Sequence, residues 1–430
     1  MGLDSTQHSP AVQAKVVYAG VACSSYANAA DLLWHLSELA VPTKEVERLT
    51  RRIGEERVQQ REQQVTAFAA LPLVEKFQAP EEVVPPELAV VMVDGGRLQI
   101  RERQPQGETP PAEAAGLANR EADWQDDDTP RKGFWREDKV GLLIEMNSEP
   151  AWADPCPEIP EGFRDVLRIP KLAREIGKVA AAALDGPEPP QDDDEPAVPK
   201  TAGVAEYQPP GVETRRVVAS CQPWPTFARV VASAAWEAGF QQAKRKAFVA
   251  DGSANNWRLQ RRFFGSFVPV LDFIHALSYV YAAAVAGQPF ALGWERYQRW
   301  IGLVWQGEVS RVIDELAERQ REVGLPRPED GETSVPAVVA GTLRYLRNQQ
   351  DKMNYPEYRK EGLPITSSLM ESTVKQMNER VKGTEKFWCQ EGAEGIVQLR
   401  GDHLSDDAPL DEFWRQRQAN ATGHSYRRAG

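Results

Sequence analysis

Residues 87–97 read ELAVVMVDGGR. The apolar run Leu88–Val93 has the length and β-branching of a strand buried on both faces. It stops at Asp94. Gly95-Gly96 then predicts a sharp turn into a second strand, Arg97–Arg101, whose residues alternate in polarity. An aspartate at a strand end stands at the rim of a sheet, where a substrate can reach it, and a flanking glycine lets backbone or phosphate come close. Taken alone, Asp-Gly is more often a plain turn, because both residues favour turns.

The same pattern returns at 246–252, KAFVADG, another apolar run that ends in Asp-Gly, at Asp251. Between the two, Gly141–Met146 reads as a third strand and residues 225–239 as a helix. Phe267–Asp272 is a further strand that runs into a helix over Phe273–Ala286. From about 290 to 350 the periodicity is helical, with Trp294, Tyr297, Trp300 and Trp305 crowded at its start. A final helix covers 368–381. Strands followed by βα units predict an α/β core interrupted by a helical segment.

That last helix carries a third candidate carboxylate. In SSLMESTVKQMNER, residues 367–380, Met370, Val374 and Met377 continue to Val381 as an apolar stripe, while Glu371, Lys375, Asn378 and Lys382 share a polar face. Two readings stand side by side. Ser368 with Glu371 fits a capping box, which would turn the carboxylate back to a backbone amide. Otherwise Glu371 is available for chemistry. Three carboxylates packed together stay ionised only with cations between them, and hard oxygen ligands select Mg²⁺ or Mn²⁺. Two such ions about 4 Å apart can activate an attacking oxygen and stabilise a leaving one in phosphodiester chemistry. No Ser-His-Asp or Cys-His arrangement competes, and no phosphate-binding P-loop is present, so ATP use is not indicated.

Upstream, Asn28–Ala40 carries Leu32, Leu33, Leu36 and Leu39 at helical spacing, and Lys44–Glu56 carries Val46, Leu49 and Ile53. The break Val41-Pro42-Thr43 offers Thr43 as an N-cap. Two helices joined this tightly resemble a helix-turn-helix, whose second helix could enter a major groove, though the pattern alone favours an αα-hairpin that merely packs.

The chain has 430 residues, 41% of them hydrophobic, enough for two or three domains. No stretch approaches the roughly 18 apolar residues of a membrane span. The start, MGLDSTQHSPAVQ, lacks a signal-peptide layout, which predicts a cytoplasmic protein. Cys23, Cys156, Cys221 and Cys389 form no C-x-x-C pair, which argues against a disulfide scaffold or a structural zinc. They are expected to be reduced, partly buried thiols. A net charge of −12 counts against nucleic-acid binding. Much of it, however, sits in polar or Pro-rich stretches near 104–132 and 185–211, which contain Asp126–Asp128 and Asp192–Glu195. Cations crowd elsewhere: Lys244, Arg245, Lys246, Arg258, Arg261 and Arg262 in one segment, Lys375, Arg380, Lys382 and Lys386 in another.

Four stretches together resemble a known family: SSYANAADLLWHLSELAVPTKEVERLTRRIGEER, VMVDGGRLQIR, AFVADGSANNWRLQRRFFGSFVPVLDFIHALSYVYAAA and PITSSLMESTVKQMNERVKGTEKFW. They are similar to the DDE transposases of bacterial insertion sequences, in the Kra-type branch, and distantly to Mutator-like element transposases. The resemblance implies an RNase-H-like core with a helical insertion domain, preceded by a helix-turn-helix-like N-terminal region. Its divisions would be a DNA-binding region over 1–80, the first part of the core over 85–275, the insertion over 276–360, and the glutamate helix and tail over 361–430. Asp94, Asp251 and Glu371 would be the catalytic residues and would hold two Mg²⁺ (or Mn²⁺) ions. Asp272 and His275 match a D-x-x-H that follows the second aspartate; either Asp272 braces His275, or His275 reaches a DNA phosphate. Arg258, Arg261, Arg262, Lys375, Lys382 and Lys386 would contact DNA. Trp388 would stack on an exposed base or pack in the core. The implied partners are the terminal inverted repeats of a mobile element and target DNA, bound by a dimer or larger assembly at the nucleoid. Family members also carry a cysteine-containing stretch upstream that this chain lacks, as though it begins late. A catalytically inactive remnant acting as a DNA-binding regulator is therefore the alternative.

Overall fold

The computed structural model describes residues 8–100, 124, 135–176, 208–383 and 386–420. Most of the two acidic stretches near 104–132 and 185–211 lies outside them. In chain order the elements are α1 (Pro10–Ala22), α2 (Tyr26–Ser37), α3 (Thr43–Ala70), β1 (Leu88–Gln99), β2 (Trp135–Asn147), α4 (Arg168–Glu175), β3 (Gly211–Ser220), α5 (Trp224–Glu237), β4 (Arg245–Ala250), α6 (Ala254–Phe263) and β5 (Val268–Leu271). An all-helical run follows: α7 (Phe273–Val285), α8 (Phe290–Trp305), α9 (Val309–Val323), α10 (Val335–Gln349), α11 (Tyr355–Lys360), α12 (Ser368–Val381), α13 (Gln390–Leu404) and α14 (Pro409–Asn420).

The strands form one mixed sheet in the order β3-β2-β1-β4-β5. β2 runs antiparallel to both β1 and β3, whereas β1, β4 and β5 are parallel. The parallel strands are the ones whose sequences are continuous apolar runs, as expected for strands covered on both faces. Their residues join one core that reaches from Val17 to Leu399 and includes the aromatics Tyr297, Trp300 and Trp305 of α8.

Three local expectations are corrected. The first strand does not turn at Gly95-Gly96. β1 is a single 12-residue strand paired with β2 from Leu88↔Met146 to Gln99↔Trp135. A Cβ on Gly96 would sit 2.8 Å from Asp138 Oδ1, so these glycines serve close approach to β2 rather than a reversal. Thr43 is not an N-cap. Pro42 holds that position without any side-chain cap bond, and α3 runs on to Ala70 through good helix formers. Cys389 is exposed; Cys23, Cys156 and Cys221 are part-buried, and all four are unpaired.

β3 and α13 had no counterpart in the reading of periodicity. β3 is an edge strand, apolar only in its second half. Its outward backbone groups are covered rather than left open. Arg215 N–H donates to Asp406, Asp406 N–H to Arg215 O, Val217 N–H to Ser405 Oγ, and Arg61 to Ala219 O. α13 can lie this close because it carries glycines. A Cβ on Gly401 would stand 3.0 Å from Val217 O, and one on Gly54 of α3 would stand 2.9 Å from the Gly395 backbone. α3, the second helix of the candidate helix-turn-helix, is thus packed along α13, with Arg57 and Arg61 buried against Asp402 and Glu394. Among the described residues no helix is long and apolar enough to cross a membrane.

Candidate active site

Parallel pairing sets the geometry. The β1–β4 ladder ends at Met92↔Val249, and two residues further on each strand come Asp94 and Asp251. The β4–β5 ladder ends at Ala250↔Leu271, and the next residues are Asp251 and Asp272. Asp251 and Asp272 therefore follow the ends of β4 and β5. Beside them stands Asp94, inside β1 just past the point where its pairing with β4 stops; neighbouring backbones there stand about 5 Å apart. Glu371 comes from the first turn of α12. That turn is fastened to the strand ends by Phe273 N–H to Ile365 O at 2.9 Å and Ser367 N–H to Asp272 Oδ1 at 2.8 Å.

The second bond decides the capping-box question. The cap of α12 is Ser367, not Ser368, and no side-chain cap bond forms there. Asp272 takes the cap amide, so Glu371 is not turned back onto the helix end. Among the described residues no hydrogen bond or ion pair engages its carboxylate.

Each of the other acids is held differently. Asp94 Oδ1 accepts from Gly95 N–H at 2.7 Å. Asp251 Oδ1 accepts from Ser253 N–H at 2.9 Å and from Asn256 Nδ2 at 2.8 Å; Asn256 also reaches Val93 O at 3.3 Å and so ties β1 to α6. Asp272 is fully buried and accepts from His275 twice, from the backbone at 3.1 Å and from Nδ1 at 2.6 Å. The brace between Asp272 and His275 is therefore present, and it also caps α7.

The charges feel one another. Burial pushes Asp94 up to about 6; the Gly95 amide and His275 oppose this, while Asp251 and Glu371 add to it. Burial also raises Glu371, with Asp272 next; His275 and Lys375 pull the other way. Asp94 thus senses Glu371, whereas the charges that act on Glu371 after burial are those of Asp272, His275, Lys375 and Glu175. Burial would lower His275, but its bond and charge pair with Asp272, helped by Asp251 and Asp94, outweigh this and hold it at about 9. His275 is an imidazolium at neutral pH, set among four carboxylates. The donor set is all oxygen and short of positive charge, which suits a hard divalent cation. Among the described residues no three His, Cys, Asp or Glu side chains already stand at ion-holding distance.

Helix α10 supports the site from outside the sheet. Tyr345 OH donates to Asp251 O at 2.7 Å, and Gln349 Nε2 to Gly252 O at 3.1 Å. Gly252 has φ +98, and a Cβ there would meet the Tyr345 ring at 2.9 Å, so only glycine suits this turn. Tyr345 is itself stacked on Tyr279 at 3.8 Å. Sequence reasoning missed Tyr345 and Gln349, which are far off in the chain. It also missed Asn256, although that residue lies within the DGSANN stretch. Asp138 was missed as well. It is 1% exposed, among the described residues its oxygens have no hydrogen-bond partner beyond its own backbone amide, and burial pushes it up to about 6.

The expected DNA contacts divide into two groups. Arg261, Arg262, Lys375 and Lys382 are exposed. Arg258 is half-buried and bonded to Asn255 at 3.1 Å. Lys386 donates to Glu379 O and Arg380 O and so closes the end of α12. Trp388 is packed: its Nε1 donates to Val381 O at 2.9 Å, and its ring meets Tyr26 edge-on at 6.4 Å.

No protein-family model matches the chain, and no curated protein matches it. Any functional reading therefore rests on the residues themselves.

Proposed function

We propose that the chain is a metal-dependent DDE transposase with an RNase-H-like core, cleaving and joining insertion-sequence ends. The order β3-β2-β1-β4-β5 with β2 antiparallel supports the core assignment. One observation carries the chemistry: Asp94 within β1 and Asp251 just past β4 lie side by side where these parallel strands stop pairing, and the first turn of α12, which carries Glu371 120 positions beyond Asp251 (371 − 251), is fastened to the adjacent Asp272 through Ser367 N–H. Asp94, Asp251 and Glu371 are the residues that would hold two Mg²⁺ (or Mn²⁺) ions, which when bound supply an activated attacking oxygen and a stabilised leaving oxygen.

The chain's own groups do the remaining work. Asn256 fixes the Asp251 carboxylate, and Tyr345 with Gln349 holds the backbone under it. His275, kept positive by Asp272, offsets part of the repulsion among the acids. Arg261, Arg262, Lys375 and Lys382 offer exposed charge to a phosphate backbone. DNA ends are the substrate, and a dimer or larger assembly at the nucleoid would hold the two ends of an element together.

The test uses duplexes taken from the DNA that flanks the coding sequence, followed for nicks and for transfer into a plasmid. Wild type should nick and transfer only with Mg²⁺ or Mn²⁺, and Asp94→Ala, Asp251→Ala and Glu371→Ala should each fall to background. Equal background nicking by wild type and Asp94→Ala, with both still binding the ends, would establish a DNA-binding regulator instead.

A further inference from the structure

We infer that a separate phosphate-binding site lies at the far end of α12, in a cavity of 280 Å³ lined by Arg380, Lys386, Arg51 and the start of α13. Glu371 and Arg380 are nine residues apart on that helix, about 14 Å along its axis at 1.5 Å per residue. The cavity therefore does not belong to the carboxylate site, and it stands whether or not that site is catalytic.

Arg380 is the first observation. It is 2% exposed and sandwiched between aromatic rings, its guanidinium carbon 4.5 Å from the Tyr26 ring and 5.1 Å from that of Trp388. Its Nε donates to Gly20 O at 2.8 Å and its guanidinium also bonds the Tyr26 hydroxyl, yet among the described residues its buried Nη2 has no hydrogen-bond partner. A buried donor on a charged group left unpaired is costly, and it points to an acceptor supplied from outside the chain. Thr50 repeats the signal: its hydroxyl, on a residue 1% exposed that lines the same cavity, also has no partner among the described residues.

Helix α13 is the second. It is 15 residues long, its N-cap Cys389 makes no side-chain cap bond, and Gly392 of its first turn lines the cavity. Opening amides and the positive end of the helix dipole together favour an anion. Charge fixes the class. Three cations, Arg51, Arg380 and Lys386, line the cavity against one carboxylate, Glu47. Arg51 leans on Glu55 at 3.0 Å, while Lys386 spends two of its three N–H groups on carbonyls. With Glu55 set against Arg51 and Glu47 against a second cation, a surplus of about one charge remains (3 − 2), which favours an anion such as inorganic phosphate or a phosphate monoester.

The experiment is calorimetric titration of the full chain with inorganic phosphate against chloride at equal ionic strength. Saturable binding at one site per chain is expected. Arg380→Gln should weaken it roughly ten-fold or more, and Lys386→Gln several-fold, as for lost charge-assisted hydrogen bonds. Arg380 is buried, so if its variant fails to melt cooperatively, Lys386→Gln and the exposed Arg51→Gln carry the comparison. Absence of saturable binding, or binding undiminished in Lys386→Gln and Arg51→Gln, overturns the site. A second arm assigns the source of the phosphate. Displacement of inorganic phosphate by a 5′-phosphorylated oligonucleotide but not its 5′-hydroxyl twin marks a strand end. Displacement by neither marks a free phosphate ligand.

Discussion

Asp94 keeps its proton up to about pH 6 because it is buried beside Asp251 and Glu371. Its folded value lies above the ordinary 3.8, so its favourable contribution is present below about pH 4 and is lost as pH rises through 6. In the metal-free protein, Asp94→Asn should therefore stabilise the fold at pH 7.5 by on the order of 1–3 kcal/mol and have little effect at pH 4. Thermal melts at the two pH values check this. His275 has the same sign relation to pH, in a higher window. Held at about 9 rather than 6.5, it contributes stability that is complete below 6.5 and fades as pH rises through 9. Asp272→Asn should lower the His275 pKa by a unit or more, read directly by NMR titration of its ring. If the ring still titrates near 9 in that variant, the other carboxylates hold the proton and Asp272 is not the brace.

At the scale of elements, glycine decides where helices approach. Gly54→Ala places a methyl against the Gly395 backbone and should destabilise by about 1–3 kcal/mol, as overpacking does. Gly341→Ala in α10 meets nothing within 4 Å and should stabilise by about 0.5–1 kcal/mol through helix propensity. Chemical denaturation of the two variants tests the contrast. The same glycines explain what periodicity could and could not disclose. β1, β4 and β5 were legible because strands covered on both faces must be apolar throughout. β3 was not, because an edge strand needs only half its length apolar and spends Arg215 and Arg216 on Asp406 and Asp407. α13 hid behind Gly392, Gly395 and Gly401, residues that weaken a helix locally yet let two of its turns touch Gly54 and Val217. Likewise Asp251 and Glu371 stood out as residues at element ends, and Asp94 as the end of an apolar run that lies inside β1. Tyr345 and Gln349 looked like ordinary helix positions, since their roles exist only once α10 folds against the Asp251 turn.

Over the whole molecule, a net charge of −12 coexists with exposed Arg261, Arg262, Lys375 and Lys382. If these four face DNA, neutralising any one should weaken binding alike across sequences and reduce the salt slope by about one, whereas Arg258, already bonded to Asn255, should matter less. Equal slopes for all five variants would place the DNA elsewhere. The deeper claim concerns the acids that the parallel strands and α12 bring together. Mn²⁺ binding to the metal-free full chain, followed by calorimetry and electron paramagnetic resonance, measures it without any DNA. Wild type should bind saturably, and Asp94→Asn, Asp251→Asn and Glu371→Gln should each weaken binding by about ten-fold or more. Binding left unchanged by all three substitutions would contradict a shared metal site.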